Sequence, residues 1–312
     1  MKQKVIAIVG PTAVGKTALS IELAKAINGE VISGDAMQVY KGMDIGTAKI
    51  TPEEMQGIPH HMIDIKDPDE SFSVADYKRY VQRYIDEINR RNRTPILVGG
   101  SGLYIQATLY DYEFPKQERN NRFTKRLENI VKTEGVAPLY ERLKEVDPEQ
   151  AEKIHPNNYR RVIRALEIYE TTGKTMSEYQ QNQSKRPIYD TILVGLDMDR
   201  KKLYERINKR VDQMMEQGLL KEVRTLYDQG LKNAQSMKAI GYKELIPYIE
   251  GKQSLDECLE LLKRNSRRYA KRQLTWFRNK LDDVRWYNIQ PKTAEQQFTL
   301  ITKEIEGILK RS

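Results

Sequence analysis

The sequence predicts an α/β fold, a parallel sheet flanked by helices, with a helical insertion domain and basic C-terminal helices. Three observations predict it. Apolar runs of strand length alternate with amphipathic stretches over residues 1–112 and return over 188–312, as in a right-handed sheet with helical crossovers. The first run, Val5-Ile6-Ala7-Ile8-Val9, leads into Gly10-Pro11-Thr12-Ala13-Val14-Gly15-Lys16-Thr17, which has the spacing of a phosphate-binding loop between strand and helix. Over residues 113–187 charged and amide residues dominate and no strand of comparable quality is found, so the chain is expected to leave the sheet as helices and re-enter it.

In that loop the glycines let backbone N–H groups, and the positive end of a helix over residues 17–27, point at phosphate oxygens. Lys16 adds a point charge and Thr17 a hydroxyl ligand for Mg²⁺. The core is therefore expected to be P-loop NTPase-like, while the compound bound, ATP included, stays open. A second strand, residues 30–33, delivers Gly34-Asp35 to its C-terminal end, where open parallel sheets form their ligand crevice. Three roles stay open for Asp35 on this reading: Mg²⁺ ligand, direct or through water; general base; or cap of the next turn. Residues 38–49, with Gly42 and Gly46, read as a functional loop. Pro59-His60-His61 reads as a structural turn in preference to a zinc site, because adjacent histidines diverge and no third ligand stands at useful spacing.

Residues 73–90 repeat Val74, Tyr77, Val81, Tyr84, Ile85 and Ile88 at helical intervals. The strand over 95–98 ends in Gly99-Gly100-Ser101-Gly102. Nucleotide hydrolases usually place an acid there, so an ATPase is disfavoured. In the insertion, helices are expected over 119–133, 139–146 and 158–171, the last with Arg160, Arg161 and Arg164 on adjoining positions, either solvated or touching a polyanion. A strand over 189–196 follows, then a helix capped by Asp199, on which Arg206 and Arg210 share a face. They are either surface charges or a phosphate clamp.

Residues 263–280 contain Lys263, Arg264, Arg267, Arg268, Lys271, Arg272, Arg278 and Lys280 and no acid. Arg264, Arg268, Lys271, Thr275 and Arg278 make one basic face, while Leu262, Tyr269, Gln273, Trp276 and Phe277 supply bulk elsewhere. Uncompensated charge of this density suits a phosphate backbone, as does the net charge of +9. The single cysteine, Cys258, fits a reducing compartment, and no apolar run is long enough to span a membrane. A cytoplasmic monomer is expected.

The ordered series formed by the phosphate loop, Gly34-Asp35-Ala36-Met37-Gln38-Val39-Tyr40, residues 42–49, Pro59-His60-His61, residues 98–104, Arg160-Arg161 with residues 164–167, Ile240-Gly241-Tyr242 and residues 270–276 resembles the tRNA dimethylallyltransferases, the IPP transferase family. Ser101 stands where threonine is commoner. The resemblance implies transfer of a dimethylallyl group from dimethylallyl diphosphate to N6 of the adenine just 3′ of the tRNA anticodon. It places the diphosphate in residues 10–17, with Mg²⁺ on Thr17, and makes Asp35 the base. Ser101 would hold the diphosphate or orient Asp35, and Arg206 or Arg210 would close over it. Contacts to tRNA, chiefly its anticodon stem-loop, would involve Asp35, Ala36, Met37, Gln38, Ser101, Arg160, Arg161, Arg164, Lys238, Gly241, Lys271 and Arg272, with Gln38 reading an adenine edge. The rival readings are a small-molecule kinase, a prenyltransferase for free adenine nucleotides, and a nucleic-acid-binding module with a regulatory loop. The kinase and the nucleotide prenyltransferase leave the basic helix without a purpose.

Overall fold

The computed structural model describes residues 2–115, 121–184 and 186–311. Contacts divide the chain into two compact units, Met1–Leu109 with Pro187–Ser312, and Tyr110–Arg186.

The first unit opens with β1 (Lys4–Val9), whose residues Val5, Ile6, Ala7, Ile8 and Val9 are all fully buried. Burial on both faces explains the unbroken apolar run. After the phosphate loop come α1 (Lys16–Ala26) and β2 (Gly29–Ser33). A short α2 (Pro52–Met55) starts at a Thr51–Glu54 capping box. The histidine pair does not make the expected turn but forms a two-residue strand, β3 (His60–His61), pairing with Val31 and Ile32. His61 Nε2 lies 2.7 Å from the buried Glu30 carboxylate, which Arg91 neutralises. That bond holds the edge strand in place.

Next, α3 (Val74–Arg90) is capped by Ser73 with Asp76 and buries Tyr77, Val81, Ile85 and Ile88. It packs on β4 (Thr94–Gly99) and on α4 (Gly102–Leu109). Helix α4 was not expected; it begins directly after the glycine turn as Ser101 O accepts from Tyr104 and Ile105 N–H. Gly102 cannot carry a side chain, since a Cβ there would fall on the Trp276 ring.

The second unit is all helical among its described residues: α5 (Asn121–Glu134), α6 (Ala137–Val146), α7 (Pro148–Lys153), α8 (Tyr159–Thr172) and α9 (Met176–Gln181). The expected start of its first helix, residues 119 and 120, lies outside the described residues. Leu127, Leu139, Leu143, Ile154, Val162, Ile163 and Leu166 form its own core.

The chain returns to the first unit as β5 (Asp190–Asp197) and α10 (Arg200–Glu216), the latter capped by Asp199 accepting from Lys201 and Lys202 N–H. Then follow α11 (Leu219–Asp228), α12 (Ile246–Ile249), α13 (Leu255–Lys280), β6 (Arg285–Asn288) and α14 (Ala294–Arg311). The basic stretch is the second part of α13, which starts earlier than its charge pattern because Ser254 and Glu257 form a capping box. Edge strand β6 was also unexpected, being only four residues of mixed exposure. The six strands are all parallel in the order β3-β2-β4-β1-β5-β6. Their C-terminal ends therefore gather Gly10, Asp35, Ser101 and Asp197 along one edge. No helix among the described residues is long and apolar enough to cross a membrane.

Candidate active site

Gly10 leaves β1 at φ +147°, and a Cβ there would stand 2.5 Å from Leu196 O. Only glycine lets the loop pass so close to β5. Gly15, at φ 109°, precedes α1 and offers no side-chain cap, so the first N–H groups of the helix stay free for an anion. Lys16 Nζ turns back on the loop and donates to Pro11 O at 2.7 Å and Gly10 O at 3.0 Å. Burial, with Arg210 adding to it and Asp35 opposing, lowers the Lys16 ammonium to about 7. Thr17 is exposed at the same wall.

Asp35 sits at the end of β2 and accepts from Met37 N–H at 2.8 Å. Burial raises its carboxyl above the usual range; the Met37 N–H, Lys16 and Arg210 pull the other way. Ser101 Oγ accepts from Ala36 N–H at 3.3 Å and so ties the β4 end to the Asp35 turn. Gln38 is half-buried at the cavity wall with both amide ends engaged: Ser33 Oγ donates to its Oε1 at 2.8 Å, and its Nε2 donates to Thr47 O and Ala48 O at 3.3 Å. Arg206 Nε donates to Ala13 O at 3.0 Å, and Arg210 reaches Thr12 Oγ1 at 3.5 Å.

Two cavities meet here. One, of about 710 Å³, is lined by Thr12, Ala13, Gly15, Lys16, Thr17, Gln38, Arg206 and apolar Val31, Ile50 and Ile63. Gly10, Pro11 and Val14 are buried behind its wall. The other, of about 340 Å³, is lined by Ala36, Met37, Ser101, Lys238, Gly241 and Arg272. Asp35, Thr12, Thr47, Ala48, Arg210 and Tyr269 line both. Of the two candidate arginines, Arg210 is thus the one at the junction.

The loop over 42–49 is fixed by a residue the sequence reading did not single out. Glu222 on α11 accepts from Asp44, Ile45 and Gly46 N–H at 3.0, 2.8 and 3.0 Å and from the Tyr242 hydroxyl at 2.5 Å. Gly46 is required because a Cβ would strike the Tyr242 ring, which gives the Ile240-Gly241-Tyr242 motif a physical purpose. Glu222→Ala should cost roughly 2–3 kcal/mol, since hydrogen bonds to a charged acceptor are worth more than neutral ones. Urea unfolding measures the loss, and hydrogen exchange should show the Ile45 and Gly46 amides accelerating most.

The basic face of α13 is only partly uncompensated, contrary to expectation. Lys263 pairs with Asp212 at 2.7 Å and Arg278 pairs with Asp197. Arg264, Arg268, Lys271 and Arg272 remain exposed, with Arg272 over the Tyr269 ring. In the helical unit Arg160 and Arg161 are exposed on α8. Arg164 instead donates to the buried Glu167 at 2.8 Å.

A family model described as IPP transferase matches residues 38–280. The tRNA dimethylallyltransferase of Oceanobacillus iheyensis is 61% identical over 309 residues, covering 99% of this chain and 98% of its own. That of Bacillus cytotoxicus is 57% identical over 310 residues, covering 99% and 96%. Among solved structures, a tRNA isopentenylpyrophosphate transferase from Bacillus halodurans aligns with a TM-score of 0.74 at 51% identity, covering 99% of this chain and 98% of that one. A eukaryotic dimethylallyltransferase acting on tRNA aligns with a TM-score of 0.83 at 34% identity, covering 98% and 80%. The family match begins beyond the phosphate loop, and with relatives 61% and 57% identical over nearly the whole chain it shows that this chain belongs to the IPP transferase family.

Proposed function

We propose that the protein transfers the dimethylallyl group of dimethylallyl diphosphate to N6 of the adenine just 3′ of the anticodon in tRNA, releasing diphosphate. The observation that carries this reading is Asp35 at the junction of a phosphate-loop cavity and a second cavity rimmed by α13. The amine lone pair forms a bond to C1 of the isoprenoid as the C1–O bond breaks, and the electron pair of that bond leaves with diphosphate. The amine is a poor nucleophile because its lone pair is delocalised into the ring, so it must lose a proton as it attacks. Asp35 takes that proton. The loop N–H groups, Lys16 and Arg210 meet the charge that develops on diphosphate.

Thr17 offers a hard oxygen ligand on the wall that would face the diphosphate, which suits Mg²⁺. When bound, the ion would neutralise phosphate charge. Ser101 keeps the Asp35 turn in place through Ala36. An adenine turned out of its stack would enter past Ala36, Met37 and Gly241. For Gln38 to read its edge, the amide would exchange its bonds to Thr47 and Ala48. The helical unit, through Arg160 and Arg161, and α13 would grip the anticodon stem-loop.

The test is incubation with Mg²⁺, labelled dimethylallyl diphosphate and either unmodified tRNA, AMP or ATP. Label in tRNA alone is expected; label in a free nucleotide, or none, overturns the assignment. Exchanging Lys271 and Arg272 together for alanine should weaken tRNA binding and flatten its dependence on salt by about two counterions, read as the slope of log Kd against log salt concentration.

A further inference from the structure

The basic helix α13 reaches the phosphate loop through one buried amide. Gln273 is 5% exposed; in the sequence it counts as bulk and as part of the 270–276 stretch that carries the resemblance, with no role of its own. Its Oε1 accepts from Thr12 N–H at 2.9 Å, inside the phosphate loop, and its Nε2 donates to Gly100 O at 3.1 Å, in the turn after β4. Gly100 admits this approach only because it lacks a Cβ, which would fall on the Gln273 amide. One turn earlier on α13, the Tyr269 hydroxyl lies within reach of Ser101 and of Gln273. Ser101 in turn accepts from Ala36 N–H, beside Asp35. Three strand ends thus converge on two side chains of one helix: β1 through Thr12, β4 through Gly100 and Ser101, and β2 through Ala36. The same helix exposes Arg264, Arg268, Lys271 and Arg272.

We infer that Gln273 is a positioning residue that fixes the phosphate loop and the Gly100 turn in their diphosphate-binding arrangement, so that the helix that grips tRNA also sets the geometry of the donor site. The inference rests on the function proposed above. Gln273 acts through its bonds to Thr12 and Gly100, at the wall of the phosphate-loop cavity that all three line. Both of its amide ends are used, one as acceptor and one as donor, so no other side chain of similar length supplies the same pair of bonds at neutral pH.

Gln273→Met keeps the length and removes both bonds. Dimethylallyl diphosphate, titrated in the presence of Mg²⁺ without tRNA, should bind roughly 5- to 30-fold more weakly to it, the loss of two neutral hydrogen bonds. Binding of tRNA should be unchanged, because the exposed basic face is intact. Unchanged donor affinity would overturn the inference, as would donor and tRNA affinities falling by the same factor, the mark of a displaced helix. Wild-type protein that fails to bind the donor would overturn the proposed function together with this inference.

Gln273→Glu supplies a second arm that does not depend on the methionine variant folding. An ionised carboxylate accepts from Thr12 N–H but repels Gly100 O, whereas a protonated one restores the donor. The donor affinity of this variant should therefore recover toward wild type as pH falls. A ratio of wild-type to variant affinity that does not change with pH would overturn the assignment.

Discussion

Asp35→Asn should lower kcat by ~10²- to 10⁴-fold, the range of a lost general base, while the protein continues to bind tRNA. Asparagine is the informative substitution because its side-chain oxygen can still accept from Met37 N–H, as Asp35 does at 2.8 Å. The turn is kept and only charge and basicity are removed. Asp35 also stands close enough to Lys16 and Arg210 to interact electrostatically with both. Removing its negative charge leaves those cations wholly to the diphosphate, so KM for the donor should hold or fall as kcat collapses. Such opposed movement separates a lost base from general damage to the site.

The pH dependence follows with its sign. Burial raises the Asp35 carboxyl, and the base works only when ionised. The rate given by kcat/KM must therefore fall as pH drops through that raised value, placing the acid limb above the ordinary carboxylate range. Asp35→Asn should remove the limb as well as the rate. Near-normal kcat in this variant would show that another group takes the proton.

How far the sequence carried the fold depended on the range of each interaction. The phosphate loop, the cap at Asp199, and the placement of Asp35 and Ser101 at strand ends were legible because each is written in a few consecutive residues. The contacts that complete the site are not. Gln273 meets Thr12 across 261 positions, and Glu222 meets Asp44 across 178. Neither residue stands out by type, since a glutamine or glutamate on an amphipathic helix looks like surface until its partners are known. The charge count on α13 misled for the same reason, as the acids that neutralise Lys263 and Arg278 come from α10 and β5. Strand β3 escaped because two residues carry no periodicity, and its stability lies in pairing with β2 and in the bond to Glu30.

Lys16→Met should reduce transfer by ~10²- to 10³-fold, the scale seen when a preorganised charge stabiliser is removed from an acyl- or phosphoryl-type site. In the free protein Lys16 is held at about 7, by burial first and by Arg210 second, and its ammonium is satisfied by two carbonyls of its own loop. A diphosphate brings negative charge to that ammonium and stabilises it, so binding must raise its pKa and draw a proton from solution. At pH 8 the free group is largely neutral, and uptake should approach about 0.9 proton per donor bound. Calorimetric titration of dimethylallyl diphosphate in two buffers of different ionisation enthalpy measures this directly. Donor affinity should weaken as pH rises above about 7, giving kcat/KM an alkaline limb to match the acid limb of Asp35. In Lys16→Met both the proton uptake and that limb should vanish. Uptake that persists in the variant would move the titrating group elsewhere in the crevice and leave Lys16 charged throughout.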